Sequence, residues 1–198
     1  MSLRFSLFER FGVELEYMIV RRDDLSVAPW SDRVLVGSDG QPVSDIERGP
    51  VTWSNELTAH VIELKTTNPV ASLDGYAAAF AAEVGEFNQR LSAHGAMLLP
   101  TAMHPLMRPA DAVLWSHDNN DIYAAFDRIF DCRGHGWSNL QSVHLNLPFA
   151  NDDEFARLHA AIRLVLPLLP ALAASSPIVE GEITGLADNR LAYYRNNS

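Results

Sequence analysis

Between residues 12 and 20 the chain alternates acidic or polar side chains with apolar ones, and this segment constrains the fold more than any other. Its β-branched and aromatic residues predict a strand over residues 11–20. Successive side chains of a strand point to opposite faces, so Glu14 and Glu16 share one face while Val13, Leu15 and Tyr17 share the other. We therefore expect a sheet with one apolar face and one face that carries carboxylates.

Two neighbouring carboxylates beside an apolar run repel each other, and each loses hydration if it is buried. A divalent cation would relieve both costs, and oxygen ligands favour a hard ion such as Mg²⁺ or Mn²⁺. The alternative for Glu14 and Glu16 is the solvated face of an edge strand. Residues 11–20 alone do not decide between the two.

A second acidic strand is predicted over residues 58–66, where Glu63 and Lys65 share a face. A surface charge pair is the alternative interpretation of these two residues. Glu56 lies seven residues before Glu63, an odd separation that puts them on opposite faces of one regular strand. Both can serve one site only if a turn or bulge intervenes.

The third such segment is a strand predicted over residues 140–149, in which Ser142, His144 and Asn146 share one face. A histidine with purely structural hydrogen bonds is the alternative for His144 taken singly. Three strands that carry acids or histidine on one face together predict a divalent-metal site.

The remaining periodicity predicts helices over residues 73–94, with Ser72 as N-cap and Gly95 as the stop, then over 121–131 and 155–166. Residues 96–102 are predicted to form a buried strand, and the turn-rich region 22–54 is predicted as loop with a short hairpin at 33–36. The apolar stretch 162–174 is interpreted as a buried core helix, with self-association as the alternative. The class is α+β, a single domain over 1–198 with helices packed on one face of a mostly antiparallel sheet.

Composition narrows the partners and the compartment. Fifteen basic against 25 acidic residues give a formal charge of −10, which argues against nucleic acid or an anionic membrane as the main partner. ATP stays compatible, because a bound cation supplies positive charge locally. The single Cys132, expected to be a packing residue, allows no intrachain disulfide. With no apolar run long enough for a membrane span and no signal-peptide pattern, we expect a cytoplasmic protein.

Four blocks in order resemble the motifs of the glutamate–cysteine ligase superfamily, whose GCS2-like members are carboxylate–amine ligases. They are FGVELEY at 11–17, VIELKTTNP at 61–69 (preceded by Glu56), QSVHLNL at 141–147 and ALAASSPIVEGEITGLADNR at 171–190. The blocks span nearly the whole chain, and together they are far more specific than any one of them.

The resemblance implies a glutamine-synthetase-like catalytic fold, here incomplete, and ATP-dependent amide formation through an acyl phosphate with release of ADP. It implies Mg²⁺ or Mn²⁺, with small-molecule substrates only. The residues that match the family motifs divide by implied role into metal ligands (Glu14, Glu16, Glu63 and His144), cofactor-binding residues (Glu56, also a candidate fifth ligand, and Asn146), and catalytic cations (Lys65, Arg190 and Arg195). His104, in Met103-His104-Pro105, resembles a family turn beside the site and is a minor ligand candidate.

Members of this family are longer than this chain, which resembles their N-terminal portion. We therefore expect the 198 residues alone to be inactive or nearly so. The alternative is a degenerate or truncated member that acts as a non-catalytic binding module. A homo-oligomer is compatible with either. The motifs leave the carboxylate and amine substrates open, because specificity lies in loops such as 22–54.

Overall fold

The computed structural model describes residues 4–196, and its centre is a six-stranded sheet. The strands are β1 (Gly12–Arg21), β2 (Asp45–Arg48), β3 (Val51–Asn55), β4 (Val61–Thr66), β5 (Ala96–Leu99) and β6 (Val143–Asn146). Their order is β2-β3-β4-β1-β5, and β6 pairs with β1 beside β5, on the edge opposite β4. Every pairing is antiparallel, so the predicted fold class is confirmed.

Residues 4–196 contain six α-helices: α1 (Tyr76–Ser92), α2 (Asn120–Phe130), α3 (His135–Ser138), α4 (Asp152–Val165), α5 (Leu169–Ala173) and α6 (Arg190–Asn196). A two-stranded ribbon, β7 (Ile178–Val179) and β8 (Glu182–Ile183), precedes α6. Among residues 4–196, none of the helices combines the length and apolar character that a membrane crossing requires.

The predicted division of β1 into two faces is confirmed. Val13, Leu15 and Tyr17 pack against the main core. Helix α1 covers this face, and its Phe87 meets Trp53 of β3 edge-to-face with ring centroids 4.9 Å apart. Because the helix takes the apolar side, the carboxylates of β1 are left on the opposite side.

The loop predicted over residues 22–54 is found as far as residue 44, with a 3-10 turn at Ser31–Arg33 and an antiparallel bridge between Val36 and Pro42 next to the hairpin predicted at 33–36. Residues 45–55 differ from the prediction, because they form the β2–β3 hairpin. Gly49, with φ +81°, makes the tight turn that reverses the chain. Strand β3 is buried along its whole length, which a five-residue segment flanked by turn residues does not reveal through periodicity.

Several boundaries also shift. Helix α1 begins at Tyr76, and Gly75 (φ +82°) takes the N-cap position instead of Ser72, whose hydroxyl accepts a bond from the Asp74 N–H in the preceding turn. Gly95 follows the helix end, as predicted. Strands β4, β5 and β6 are shorter than predicted, since the sheet pairs only part of each apolar run.

The stretch at residues 162–174 is not a buried core helix within residues 4–196. It forms the end of α4, a break at Pro167, and α5, and it exposes Leu164 by 79% and Leu172 by 83%. On β6, Val143 is 75% exposed. Helix α2 likewise exposes most of its apolar side chains, namely Ile122, Phe126, Ile129 and Phe130. These residues carry the helical and strand periods, but within residues 4–196 they stay partly or largely exposed.

Candidate active site

Strand β1 lies between β4 and β6 over its first half, and the register of these three strands assembles the site. Glu16 stands opposite Glu63 of β4. Glu14 stands opposite Lys65 of β4 on one side and His144 of β6 on the other. Directly opposed residues of antiparallel strands project on the same face. The acids predicted on separate strands are therefore brought onto one surface.

The side chains converge closely enough for ligation. One group consists of Glu14, Glu63 and His144, and a second of Glu16, Glu56 and Glu63. In each group the candidate ligand atoms all lie within 4.8 Å of one another. Because Glu63 belongs to both groups, the two potential cation positions are adjacent.

Glu56 joins the cluster from outside the strands. It follows the last residue of β3 and precedes β4, so the chain turns between Glu56 and Glu63 and the parity of a single strand no longer applies. Burial, with the charges of Glu16 and Glu63 added, raises the pKa of Glu56 to about 7. A carboxyl group with such a pKa sits in a site short of positive charge.

Hydrogen bonds orient the carboxylates of β1. Asn146 Nδ2 donates to Glu14 Oε1 at 2.7 Å, and His144 Nδ1 lies 2.8 Å from Glu14 Oε2. The Ser142 N–H donates to Glu16 Oε2 at 2.8 Å. Burial raises the pKa of Glu16 although this bond opposes the shift. Burial alone would lower the pKa of His144, but the Glu14 bond and the surrounding carboxylates raise it overall.

Gly12 makes the close approach of β6 possible. A Cβ atom there would lie 3.2 Å from Asn146 Cβ, tighter than ordinary packing allows. A larger residue would displace Asn146, which holds Glu14.

Lys65 is not a free surface cation. Its Nζ lies 3.3 Å from Glu63 Oε1 and 3.1 Å from Asp45 Oδ1. Burial lowers the pKa of Lys65, but the charges of Glu63 and Asp45 outweigh it and raise the pKa. The Ser54 hydroxyl also donates to Glu63 Oε1, at 3.0 Å. Lys65 therefore partly balances the cluster on the side of β2 and β3.

The two predicted arginines differ in placement. Arg190 is fixed by Asp188 through two bonds of 3.0 and 2.9 Å, and its Nη2 donates to the Ala173 carbonyl. Arg190 still lines a cavity that reaches Glu16. Arg195 is exposed on α6 and is not among the described residues that line the cavities.

His104, the minor ligand candidate, is a buried structural residue. Its Nδ1 accepts the N–H groups of Leu106 and Met107, and its Nε2 lies 2.7 Å from the Leu25 carbonyl. Both ring nitrogens are thus used by the backbone. Cys132 is fully buried, in agreement with its expected packing role.

Three cavities adjoin the cluster. The first, of 640 Å³, contains Glu16, His144 and the arginine at 190 in a largely apolar lining. The second, of 540 Å³, contains Glu16, Glu56 and a group of aromatic side chains. The third, of 320 Å³, contains Glu14 together with Arg10 and Lys65. Residues of the carboxylate cluster therefore line each of these three cavities.

Two sets of residues in these cavities were missed from sequence. Arg10 belongs to no sequence motif, and it becomes a candidate only because it lines the same cavity as Lys65. The aromatic side chains of α2 have the helical period, which predicted a side facing the core; in the structure part of that side faces the second cavity. Their helical period was the available signal, but periodicity does not distinguish a core from a ligand cavity.

The structure thus combines an antiparallel sheet, helix α1 on one face of it, and converging carboxylates on the other face. Residues 10–197 match the model of glutamate-cysteine ligase family 2 (GCS2), and the chain belongs to this family.

Curated relatives are similar to most of the chain. An uncharacterized protein of Archaeoglobus fulgidus is 39% identical over 186 residues, which cover 94% of this chain and 50% of that protein. A Rubrobacter xylanophilus protein named "Putative glutamate–cysteine ligase 2-3" is 27% identical, covering 90% of this chain and 46% of its own length. The chain thus spans about half the length of the curated relatives it matches.

Among solved structures, glutamate–cysteine ligase from Francisella tularensis in complex with AMP aligns with a TM-score of 0.47 and 12% identity. The alignment covers 81% of this chain and 31% of the other.

Proposed function

We propose that this chain provides one wall of the active site of an ATP-dependent carboxylate–amine ligase of the glutamate–cysteine ligase type. A carboxylate oxygen of one substrate takes the γ-phosphoryl group of ATP, which gives an acyl phosphate and ADP. The nitrogen of an amine then forms a bond to the acyl carbon, the carbon–oxygen bond to phosphate breaks, and the amine loses a proton. The observation that carries this proposal is the convergence of Glu14, Glu16, Glu63 and His144 from three strands.

The donor set fits divalent cations. Four carboxylates and one imidazole meet on one surface. Within the described residues, Lys65 forms an ion pair with Glu63 of this cluster. Carboxylate oxygens favour Mg²⁺ or Mn²⁺. Glu14, Glu63 and His144 would hold one ion and Glu16, Glu56 and Glu63 a second. When bound, such ions neutralise phosphate charge during phosphoryl transfer.

The chain's own cations have complementary roles in this proposal. Arg10 and Lys65 face the third cavity beside Glu14, where they suit the phosphates of ATP. Arg190 faces the first cavity, where it suits the carboxylate substrate. Asn146 and His144 orient Glu14. Arg195 stays a candidate for contact with substrate from α6.

We further propose that the 198 residues alone are inactive or nearly so. The exposed apolar surface of β6, α4 and α5, and the coverage of about half of each relative, support a second wall supplied by further polypeptide. The single buried Cys132 and the use of ATP suit the cytoplasm.

ADP release by the full-length gene product tests the activity. It is measured with ATP, Mg²⁺, glutamate and a panel of amines that includes cysteine. We expect ADP with at least one amine, and Glu14→Gln to lower the rate at least a hundredfold, while Glu47→Gln, at an exposed position of β2, leaves it unchanged. The proposal is wrong if none of the carboxylate and amine pairs leads to ADP formation and if Glu14→Gln also leaves the affinity for ATP unchanged. A binding module is then the remaining interpretation.

A further inference from the structure

The side chain of Arg190 is gripped by the carboxylate of Asp188, two residues before it. Arg190 Nε donates to Asp188 Oδ1 at 3.0 Å, and Arg190 Nη2 donates to Asp188 Oδ2 at 2.9 Å. A pair of parallel bonds of this kind fixes the plane of the guanidinium group as well as its position. The side chains are only 19% (Arg190) and 9% (Asp188) exposed, so water competes little for these bonds.

Asp188 is itself held by a buried polar network. The Ser176 hydroxyl donates to Asp188 Oδ1 at 2.8 Å. Asn189 Nδ2 donates to the Ser176 carbonyl at 2.6 Å and to Thr184 Oγ1 at 2.8 Å, and both Ser176 and Asn189 are buried. The bonds to Arg190 hold the pKa of Asp188 below its usual range, so the carboxylate stays charged. The carboxylate that grips Arg190 is therefore fixed in place.

These bonds leave one nitrogen of the guanidinium group for a ligand. Arginine has N–H donors on Nε and on both terminal nitrogens. Nε and Nη2 donate to Asp188, and Nη2 also donates to the Ala173 carbonyl at 2.9 Å. Within residues 4–196, no acceptor is bonded to Nη1. Because Arg190 lines the first cavity, an anionic ligand in that cavity would meet Nη1.

The charges in the first cavity make the direction of this nitrogen important. Apart from two tyrosines, the ionisable side chains of its described lining are Glu16, His144, Asp188 and Arg190. Glu16 and His144 belong to the proposed metal cluster, and Asp188 offsets the charge of Arg190. The pair carries no net charge, so Arg190 attracts an anion through the direction of its Nη1 bonds more than through excess positive charge.

We propose that Asp188 is a positioning residue for the carboxylate substrate: it orients Arg190 so that Nη1 donates to a carboxylate oxygen in the first cavity. Asp188 does not contact the substrate itself. The inference rests on the proposed ligase function for the identity of the ligand as a substrate. Without Asp188, the long arginine side chain would have to be ordered by the ligand, and this ordering costs affinity.

Calorimetry with the full-length gene product, in Mg²⁺ and without ATP, tests this role. The probes are glutarate and glutaramide, its neutral counterpart. We expect wild type to bind glutarate at least tenfold more tightly than glutaramide. Asp188→Asn keeps the size of the side chain but cannot accept both bonds from Arg190, and it should lower the affinity for glutarate at least tenfold. Asp74→Asn is the matched control, because Asp74 is exposed and lies outside this cavity lining; it should leave both affinities unchanged.

A double variant separates positioning from a purely structural effect. Arg190→Lys keeps the positive charge but lacks the planar guanidinium group. We expect Asp188→Asn to cause no further loss of glutarate affinity when Arg190→Lys is already present, whereas the losses from a structural role would add. Ser176→Ala removes one bond to Asp188 and should cause a smaller loss than Asp188→Asn. It decides the question if Asp188→Asn does not fold.

No binding of glutarate to wild type, equal affinities for the two probes, an unchanged affinity in Asp188→Asn, an equal loss in Asp74→Asn, or additive losses in the double variant would each overturn the inference. In the ADP assay, Asp188→Asn should raise the KM for the carboxylate substrate at least tenfold and change kcat and the KM for ATP by less than about twofold. Failure of wild type to release ADP would refute the ligase function, whereas the binding measurements decide the role of Asp188 without turnover.

Discussion

Glu56 and Glu63 lie seven residues apart, yet their carboxylate oxygens come within 4.8 Å of each other because the chain turns between β3 and β4. The turn overrides the alternation that would place them on opposite faces of one strand. Glu63 thereby joins two groups of potential ligands, one on the side of Glu14 and one on the side of Glu56.

This shared position makes Glu63 the most informative residue for metal binding. We expect Glu63→Gln to lower Mn²⁺ affinity at least tenfold in calorimetric titrations of the chain, since one carboxylate charge is lost from both groups. Glu47→Gln removes the same charge from an exposed strand position and should change the affinity by less than about twofold. Equal losses in the two variants would argue against a metal site at the cluster.

Anomalous scattering from crystals of the protein grown with Mn²⁺ would locate the ions. We expect peaks bounded by Glu14, Glu63 and His144 and by Glu16, Glu56 and Glu63. Absence of a peak at millimolar metal would refute a complete site in this chain without affecting its family membership.

Glu56 should make metal-free stability depend on pH. Its native pKa of about 7 exceeds the ordinary 4.5, so between these values the native state keeps a proton that the unfolded chain has released. The free energy of unfolding therefore falls as pH rises through this window. We expect Glu56→Gln to be more stable than wild type at pH 8 by on the order of 2 kcal/mol, and not at pH 4.

Urea denaturation in EDTA at both pH values measures this difference. Glu47→Gln is again the control for loss of one negative charge. A Glu56→Gln effect of the same size at pH 4 and pH 8 would contradict the assigned burial of this carboxyl group.

His60 should have the opposite pH dependence. Burial lowers its pKa to about 4 although the bond to the Ser138 carbonyl opposes the shift. Below about pH 6.5 the unfolded chain therefore binds a proton at His60 that the native state does not bind. The free energy of unfolding falls as the pH decreases from 6.5 to 4. We expect His60→Gln to reduce this acid-induced loss by about 2–3 kcal/mol, although it lowers stability at pH 7. The control is His94→Gln at an exposed position, whose acid-induced loss should match that of wild type.

The apolar surface of α4 and α5 should promote self-association of the isolated chain. Leu164 and Leu172 are among its most exposed side chains. We expect the double change Leu164→Glu and Leu172→Glu to shift the mass measured by light scattering toward the monomer, with no loss of melting temperature. Ile183→Glu, at an 81% exposed position on β8, should leave association unchanged. Association that persists in the double variant would place the contact elsewhere.

Local sequence patterns were sufficient to predict the strands and helices that pair or pack along their whole length. The alternation in β1 determines that Glu14 and Glu16 face away from the core, and the helical period of α1 determines that Phe80 and Phe87 face it. The hairpin at residues 45–55 was not predictable in the same way, because β3 is short and its turn residues are those of any loop.

The candidate site likewise has one part that could be predicted from sequence and one part that could not. Its acids on β1 and β4 and its histidine on β6 were selected from sequence because carboxylates and histidine in strands are unusual, and the family resemblance linked them. Arg10 and the aromatic side chains of Phe126 and Phe130 were not selected from sequence. An arginine before a strand and an amphipathic helix are both common on protein surfaces.

The sequence by itself determined which side chains leave each strand on the polar face, since alternation is a local property of an extended backbone. Only the tertiary structure decided that Glu56 meets Glu63, that Arg10 and Lys65 line one cavity, and that part of the aromatic side of α2 faces another cavity. These relations depend on strand register, on a turn and on which surfaces find a partner. Such properties arise between segments distant in the chain, so no local period encodes them.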